Sequence, residues 1–351
     1  MEREAAAAAA CGIHGNYTEE TELPFPVKGA VRFSGQARFS PLKFLEHLSR
    51  ELEIYEHTKV VSAEHDRVMT NWGTVKADYI IFACHYPFVN FPGFYFMRMY
   101  QQRSYVLALK DAFLPEHMYL GADPDHSYSF RTAGDHLLLG GEGHRTGEHW
   151  GLASRYEKLG LRARTWWPRA VVTDRWSAQD CMTMDGLPYI GRFSRMTDHW
   201  YVAAGFGKWG MTSSMVSALI LSGMITGNTP EWAGVFSPSR LTPGASSSQF
   251  FSHSGKTAKN LAKAWLPPKE ALAGLKPGEG KIVEWKGRKA GVYMDEAGGI
   301  YPVSPRCPHM GCQLTFNQDE KSWDCPCHGS RFSYKGELLD GPAQEGLKEN
   351  G

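Results

Sequence analysis

Leu42, Leu45, Leu48 and Leu52 recur at helical spacing behind Ser40-Pro41. A serine in the N-cap place and a proline at the first helical position mark a helix start there. Strand-like runs follow in EHTKVVSAEHDRVMTNWGTV, with a turn at Asn71-Trp72-Gly73, and in the apolar run from Tyr79 to Cys84. Residues 97–141 read as antiparallel strands, with SYSFRT and HLLLGG joined across Ala133-Gly134-Asp135. A helix is predicted over 150–165, closed by Trp166-Trp167 as packing residues, then a strand over 171–177 and another in WYVAAG. The 22 residues from Trp209 to Pro230 carry no charge, but only ten are apolar. A membrane span wants about 20 predominantly apolar residues, so this segment reads as a helix buried in protein. Residues 1 to about 35 are weakly patterned, and no internal repeat is visible.

At residue 237 the chain turns rich in Ser, Pro and Gly, which reads as a meandering linker over 237–274. From 275 to 351 the pattern is short strands with turns at Gly287, Gly298-Gly299 and Lys335-Gly336. The expected organisation is therefore 1–236, a linker at 237–274, and a small all-β domain at 275–351.

Composition adds mainly exclusions. The chain has 351 residues, 38 Lys+Arg against 37 Asp+Glu, and 42% hydrophobic residues. That suits a globular chain of two or three domains, and a net charge of +1 offers no global basic excess for nucleic acid. The start MEREAAAAAACGIHG lacks a basic n-region and a leucine-rich h-region, so a cytoplasmic protein with no membrane span is expected.

The seven cysteines change the picture. Cys11 and Cys181 carry no ligand spacing, and Cys84 ends an apolar strand, so it is expected in the core. Cys307, Cys312, Cys325 and Cys327 crowd together with His309 and His328. The text is Cys307-x-His309, a 15-residue gap, then Cys325-x-x-His328: two segments, each offering one thiol and one imidazole. A 2Fe–2S cluster with two Cys on one iron and two His on the other needs that set. Zinc also takes Cys₂His₂, but zinc fingers pair Cys with Cys and His with His, and zinc leaves Cys312 and Cys327 without a role. Neutral imidazoles in place of two thiolates ease electron uptake, which raises the potential to about −150 to +300 mV from about −400 mV.

Residues 275–351, with VSPRCPHMGC, CPCHGS and the Gly-Pro at 341–342, resemble Rieske iron–sulfur domains. The resemblance implies a disulfide between Cys312 and Cys327, as in Rieske proteins of the respiratory cytochrome bc type. It also implies that Ser330 hydrogen-bonds a bridging sulfide, and that Phe332 stands where those relatives place a tyrosine donor to a ligand sulfur. Their N-terminal anchor is not visible here. No histidine follows His328, which excludes the aromatic-ring hydroxylase class with its downstream mononuclear iron.

Upstream, Asp185-Gly-Leu-Pro-Tyr-Ile-Gly191 and WYVAAGFGKWGMTSS resemble the C-terminal part of the FAD-dependent glycine/D-amino-acid oxidase family. SPLKFLEHLSREL, TKVVSAEHDRV, VKADYIIFAC and LLLGGEGHRTG are similar to other segments of that family. The family implies that Gly205, Phe206, Gly207, Lys208, Trp209 and Gly210 turn a strand into a helix whose N-terminus faces the isoalloxazine ring. Its G-x-G-x-x-G pyrophosphate motif in a first βα turn has no counterpart near the start of this sequence. The expectation is an α/β fold: an N-terminally truncated FAD-binding oxidoreductase domain with an antiparallel substrate-domain sheet, then an all-β Rieske domain. The 2Fe–2S cluster is expected in this chain, whereas FAD is expected in the full-length parent, with little or none held by this chain. The implied reaction is oxidation of a C–N bond in an amine or amino acid, with an unknown electron acceptor or donor. The alternative is an electron-transfer module that never holds flavin. No catalytic residue is named; His85, His136 and His144 read as surface or core residues.

Overall fold

The computed structural model describes residues 1–123, 127–148, 154–240, 243–268 and 270–349. The chain divides into two compact units. The first comprises Met1–Lys59, Leu107–Gly140 and Leu159–Arg175, and the second Val60–Val106, Gly141–Lys158 and Trp176–Gly351.

In the first unit the N-terminal stretch, weakly patterned in sequence, forms a helix over Glu2–Ala10 and an antiparallel ribbon of Gly15–Thr18 with Ala30–Phe33. Helix Pro41–Ser49 starts as expected, with the Ser40 hydroxyl accepting from the Lys43 amide at 3.4 Å. Its leucine stripe lies on the surface, since Leu42, Leu45 and Leu48 are all exposed and the helix buries no residue. Ser129–Ala133 pairs antiparallel with the strand His136–Arg145, and Gly134 takes φ +62° in the turn. Trp166 and Trp167 pack edge-on against Phe130, the packing role expected of them.

The second unit holds a mixed sheet of Tyr189–Ser194, Thr197–Ala204 and Ile80–Phe82. Thr197–Ala204 lies in the middle, antiparallel to the first and parallel to the last, with Val202 opposite Phe82. Apolar residues on both faces explain the central place: Phe82, Phe193, Trp200 and Val202 fill one core. On the other face, Tyr201 and Ala203 meet Ile220 and Leu221 of helix Gly210–Thr226. This is the uncharged helix of the sequence; it was expected to be buried, but only one face is, and Met211, Met215 and Leu219 on the other are exposed. No helix among the described residues is long and apolar enough to cross a membrane. Cys84, expected in the core, is exposed, because the strand ends at Phe82 and the chain has left the sheet two residues later.

The C-terminal part is all-β. Gly280–Trp285, Arg288–Met294 and Ile300–Val303 form one antiparallel sheet. Thr315–Asn317, Ser322–Asp324, Arg331–Ser333 and Leu338–Asp340 form a second. The segment expected to meander before it contains instead a 21-residue helix, Pro243–Lys263. Tertiary contact overrides its weak composition: Leu261 packs against the core of the β domain, and the Asn260 carbonyl accepts from the Gln313 amide.

Candidate redox centre and flavin-facing turn

Two loops of the β domain bring the chemistry together. Cys307 and His309 lie on a tight turn that closes by a bond from the Gly311 amide to the Cys307 carbonyl. Cys325 and His328 lie on the loop between the paired strands Ser322–Asp324 and Arg331–Ser333, closed by a bond from the Gly329 amide to the Cys325 carbonyl. Gly311 and Gly329 both take left-handed φ values, +80° and +81°, that these turns require. Cys312 and Cys327 join the two loops by a disulfide, with Cα atoms 6.6 Å apart.

The four candidate ligands form two adjoining pairs, thiol with thiol and imidazole with imidazole. Cys307, Cys325 and His328 are each at most 2% exposed, and the His309 and His328 ring centroids are 4.9 Å apart. Both imidazole Nδ1 atoms are buried without a hydrogen-bond partner. Burial lowers His309 to about 4 and His328 well below the usual histidine range, so both rings stay neutral, the form that ligates a metal. The two thiols adjoin: Cys307 donates to Cys325, which keeps Cys325 the more acidic, and the amides of Cys327, His328 and Gly329 point at its sulfur. A pocket that gathers two thiols and two unpartnered imidazole nitrogens, and points backbone N–H groups at sulfur, fits a cluster carrying negative charge on its sulfurs. The Ser330 hydroxyl reaches the Cys307 thiol and accepts from the Ala343 amide at 3.0 Å. Phe332 is fully buried in the same core, opposite Trp323.

On their histidine side the loops meet other elements of the same unit, although His309 is only half-buried and its neighbours Pro308 and Met310 are exposed. His309 Nε2 lies 2.8 Å from Asn90 Oδ1. Gln101, on strand Met99–Lys110, donates through Nε2 to the carbonyls of His328 and Gly341, each at 3.1 Å. Gln179, on strand Val171–Thr183, donates to the Gly329 carbonyl at 3.2 Å and to Gln101 Oε1 at 3.0 Å. Arg145 donates to the Cys327 carbonyl at 3.2 Å and to His253 Nδ1 at 2.6 Å. Burial and the Arg145 charge lower His253 to about 4, so it is a neutral acceptor there. A β-carbon on Gly147 would lie 2.5 Å from the Pro326 nitrogen, so the strand end and the cluster loop are in backbone contact. None of Asn90, Gln101, Arg145, Gln179 or His253 carries a local sequence signal.

Elsewhere in the same unit the central strand ends at Ala204 and the chain turns through Gly205 (φ +73°) and Gly207 (φ +56°) into helix Gly210–Thr226. Gly205 packs on the Thr183 methyl, where a β-carbon would collide, and the Gly207 amide donates to the Cys181 carbonyl at 2.9 Å. Trp209 at the N-cap offers no side-chain bond, and the first turn holds no acidic residue. The helix therefore presents uncapped amides and the positive end of its dipole. Lys208 is held aside by Asp180 and Ser104, each at 2.7 Å. This end fits an electron-rich edge such as the pyrimidine side of a flavin. A cavity of about 580 Å³ lies at the other end of the strand, against His65, Phe94, Asp198, His199 and Trp200.

The FAD dependent oxidoreductase family model matches residues 2–224, and the Rieske [2Fe-2S] domain model matches residues 268–350. YhfW of Bacillus subtilis, described as a Rieske 2Fe-2S iron-sulfur protein, is 37% identical over 354 residues, covering 96% of this chain and 69% of that protein. The cytochrome b6-f complex iron-sulfur subunit of Synechococcus elongatus is 40% identical over 52 residues, 15% of this chain and 29% of that subunit. Among solved structures, glycine oxidase from Bacillus cereus has a TM-score of 0.54 at 16% identity, covering 69% of this chain and 72% of that one. L-amino acid deaminase from Proteus vulgaris has a TM-score of 0.54 at 13% identity, covering 68% and 74%. These two share the fold. The chain belongs to the FAD-dependent oxidoreductase family, with a Rieske [2Fe-2S] domain following the oxidoreductase domain, and its cofactor classes are FAD and a 2Fe–2S cluster.

Proposed function

We propose that this protein oxidises a C–N bond of a small amine or amino acid and that the electrons leave through its own iron–sulfur cluster. In this reading Cys307 and Cys325 ligate one iron, His309 and His328 the other, and the Cys312–Cys327 disulfide ties the two loops. Gly205 to Gly210 form the turn that faces the flavin, and the domains fall at 1–236 and 275–351. When bound, the flavin supplies two-electron oxidation and the cluster a one-electron site. The chain's own part is positional. The uncapped amides of helix Gly210–Thr226 would stabilise negative charge at the flavin edge, and the two loops would hold two neutral imidazoles for the cluster. Glycine oxidase and L-amino acid deaminase among the fold neighbours support the substrate class.

One observation carries the reading: the cluster loops are hydrogen-bonded to Gln101 and Gln179 on strands of the oxidoreductase region. A cluster seated there needs no diffusing carrier between the two redox sites. The test is anaerobic addition of an amino acid or secondary amine to protein loaded with both cofactors. The reading expects flavin bleaching together with a rhombic cluster signal in the same turnover. Bleaching with a cluster that stays oxidised would contradict the internal link. A chain that keeps its cluster but takes up no flavin and reduces the cluster with no amine or amino acid would favour a carrier that is not an enzyme.

A further inference from the structure

We propose that Asn90 is a positioning residue for the iron–sulfur cluster, its side-chain carbonyl accepting a hydrogen bond from Nε2–H of His309 and so presenting Nδ1 to the iron. The inference rests on the ligand assignment above and extends it to a residue over 200 positions away, contributed by the oxidoreductase domain. Asn90 lies on the loop that leaves the flavin-domain strand Ile80–Phe82 and runs to the short helix Tyr95–Met97. Its Oδ1 is 2.8 Å from His309 Nε2, while His309 Nδ1 is buried with no partner. An amide can donate or accept, but the ring settles which. If Nδ1 gives its lone pair to a metal, Nε2 must carry the proton, and only the amide oxygen can meet it.

The same loop reaches the second imidazole. The Phe96 ring stands edge-on to His328, with centroids 5.9 Å apart, and the Phe96 carbonyl lies 3.2 Å from His253 Nε2. The loop's own shape is fixed locally, since the Phe94 amide donates to the Asn90 carbonyl at 3.0 Å. Asn90 is therefore held by its backbone turn, with its side chain left to orient the ring. An acceptor on the far nitrogen of a ligating histidine fixes the ring and makes it a better donor to the metal. A more strongly donating ligand favours the oxidised cluster, so Asn90 lowers the midpoint potential.

The test uses the full chain with its cluster loaded, after iron and sulfide analysis of the parent has established that a cluster is present. Absence of a cluster from the parent would sink the ligand assignment and is distinguishable from failure of the Asn90 argument. Two variants pull in opposite directions. Asn90→Leu keeps the bulk and removes the acceptor, and should shift the reduction equilibrium toward the reduced cluster by about threefold, or ~28 mV at 59 mV per tenfold. Asn90→Asp keeps the shape and strengthens the acceptor, and should shift it the other way. Pulsed EPR of the reduced protein should show an altered remote-nitrogen coupling for one imidazole only. Phe91→Leu, at an exposed ring on the same loop, should leave both readouts unchanged. If Asn90→Leu fails to retain its cluster, the direction of the Asn90→Asp shift decides alone. Potentials unchanged in both variants, shifts of the same sign in both, or cluster loss from both would overturn the proposal.

Discussion

Arg331 and Asp324 face each other across the neck of the loop that carries Cys325, Cys327 and His328. Their backbones pair in register, and Arg331 Nε donates to Asp324 Oδ1 at 3.1 Å. Asp324 is fully buried, and its other partners are the Ser322 hydroxyl at 2.8 Å and the Asn317 amide at 3.1 Å. Arg331 also donates to Asp340 at 2.9 Å and lies 3.5 Å from Glu320, which Arg103 holds at 3.0 Å. Arg331→Leu leaves the Asp324 carboxylate buried with two neutral donors and no cation. Orphaning one partner of a buried pair costs about 3–5 kcal/mol. At roughly 2–4 °C per kcal/mol for bodies of 150–250 residues, the midpoint of thermal unfolding should fall by at least about 6 °C. Because the pair closes the neck of the cluster loop, iron should be lost at or below that midpoint. The assay is thermal unfolding of cluster-loaded protein, followed by circular dichroism and visible absorbance together. Arg331→Lys, a point charge in place of a fork, should fall between the two. Arg331→Leu combined with Asp324→Leu should recover part of the loss, since the orphaned charge is what costs. A single Arg331→Leu variant with full iron and a midpoint within about 1 °C of the parent would refute the reasoning.

Three further outcomes are expected. Phe332→Tyr places a hydroxyl donor in the cluster core, and a redox-state difference of ~1 kcal/mol corresponds to a rise in midpoint potential of about 40 mV, read by protein-film voltammetry. Cys312→Ser removes a disulfide with a sequence separation of 15, which should cost about 3 kcal/mol and hasten iron release, measured as the rate of absorbance loss with a chelator. His253, lowered to about 4 by burial and Arg145, binds a proton in the unfolded chain before it does so in the folded one. Stability should therefore fall as pH drops from about 6.5 to about 4, and His253→Gln should flatten that slope in denaturant titrations across the window.

The cluster was legible because its chemistry is local. A thiol and an imidazole separated by one or two residues on each of two turns admit few other uses, and in the structure the two thiols adjoin and so do the two imidazoles. The turn from Gly205 to Gly210 was legible through the family resemblance, since glycines before an uncharged helix are a weak signal by themselves; the strand-to-helix turn is there. What the sequence hid is carried by pairs far apart in the chain. Asn90 meets His309 across 219 positions and Gln101 meets the His328 carbonyl across 227, and neither residue type is unusual in a loop or strand. Helix Pro243–Lys263 was read as a linker because serine and glycine are weak helix formers, while the packing of Leu261 and the bonds of His253 that stabilise it lie elsewhere. The exposed leucines of helix Pro41–Ser49 show the converse: an amphipathic pattern identifies the helix and its apolar face without saying what covers it.

The account's central claim is that Cys307, His309, Cys325 and His328 hold a Rieske cluster. Iron and acid-labile sulfide analysis of the purified chain, with EPR after dithionite reduction, tests it most directly. About two irons and two sulfides per chain, with a rhombic signal, are predicted. Stoichiometric zinc without sulfide would contradict it.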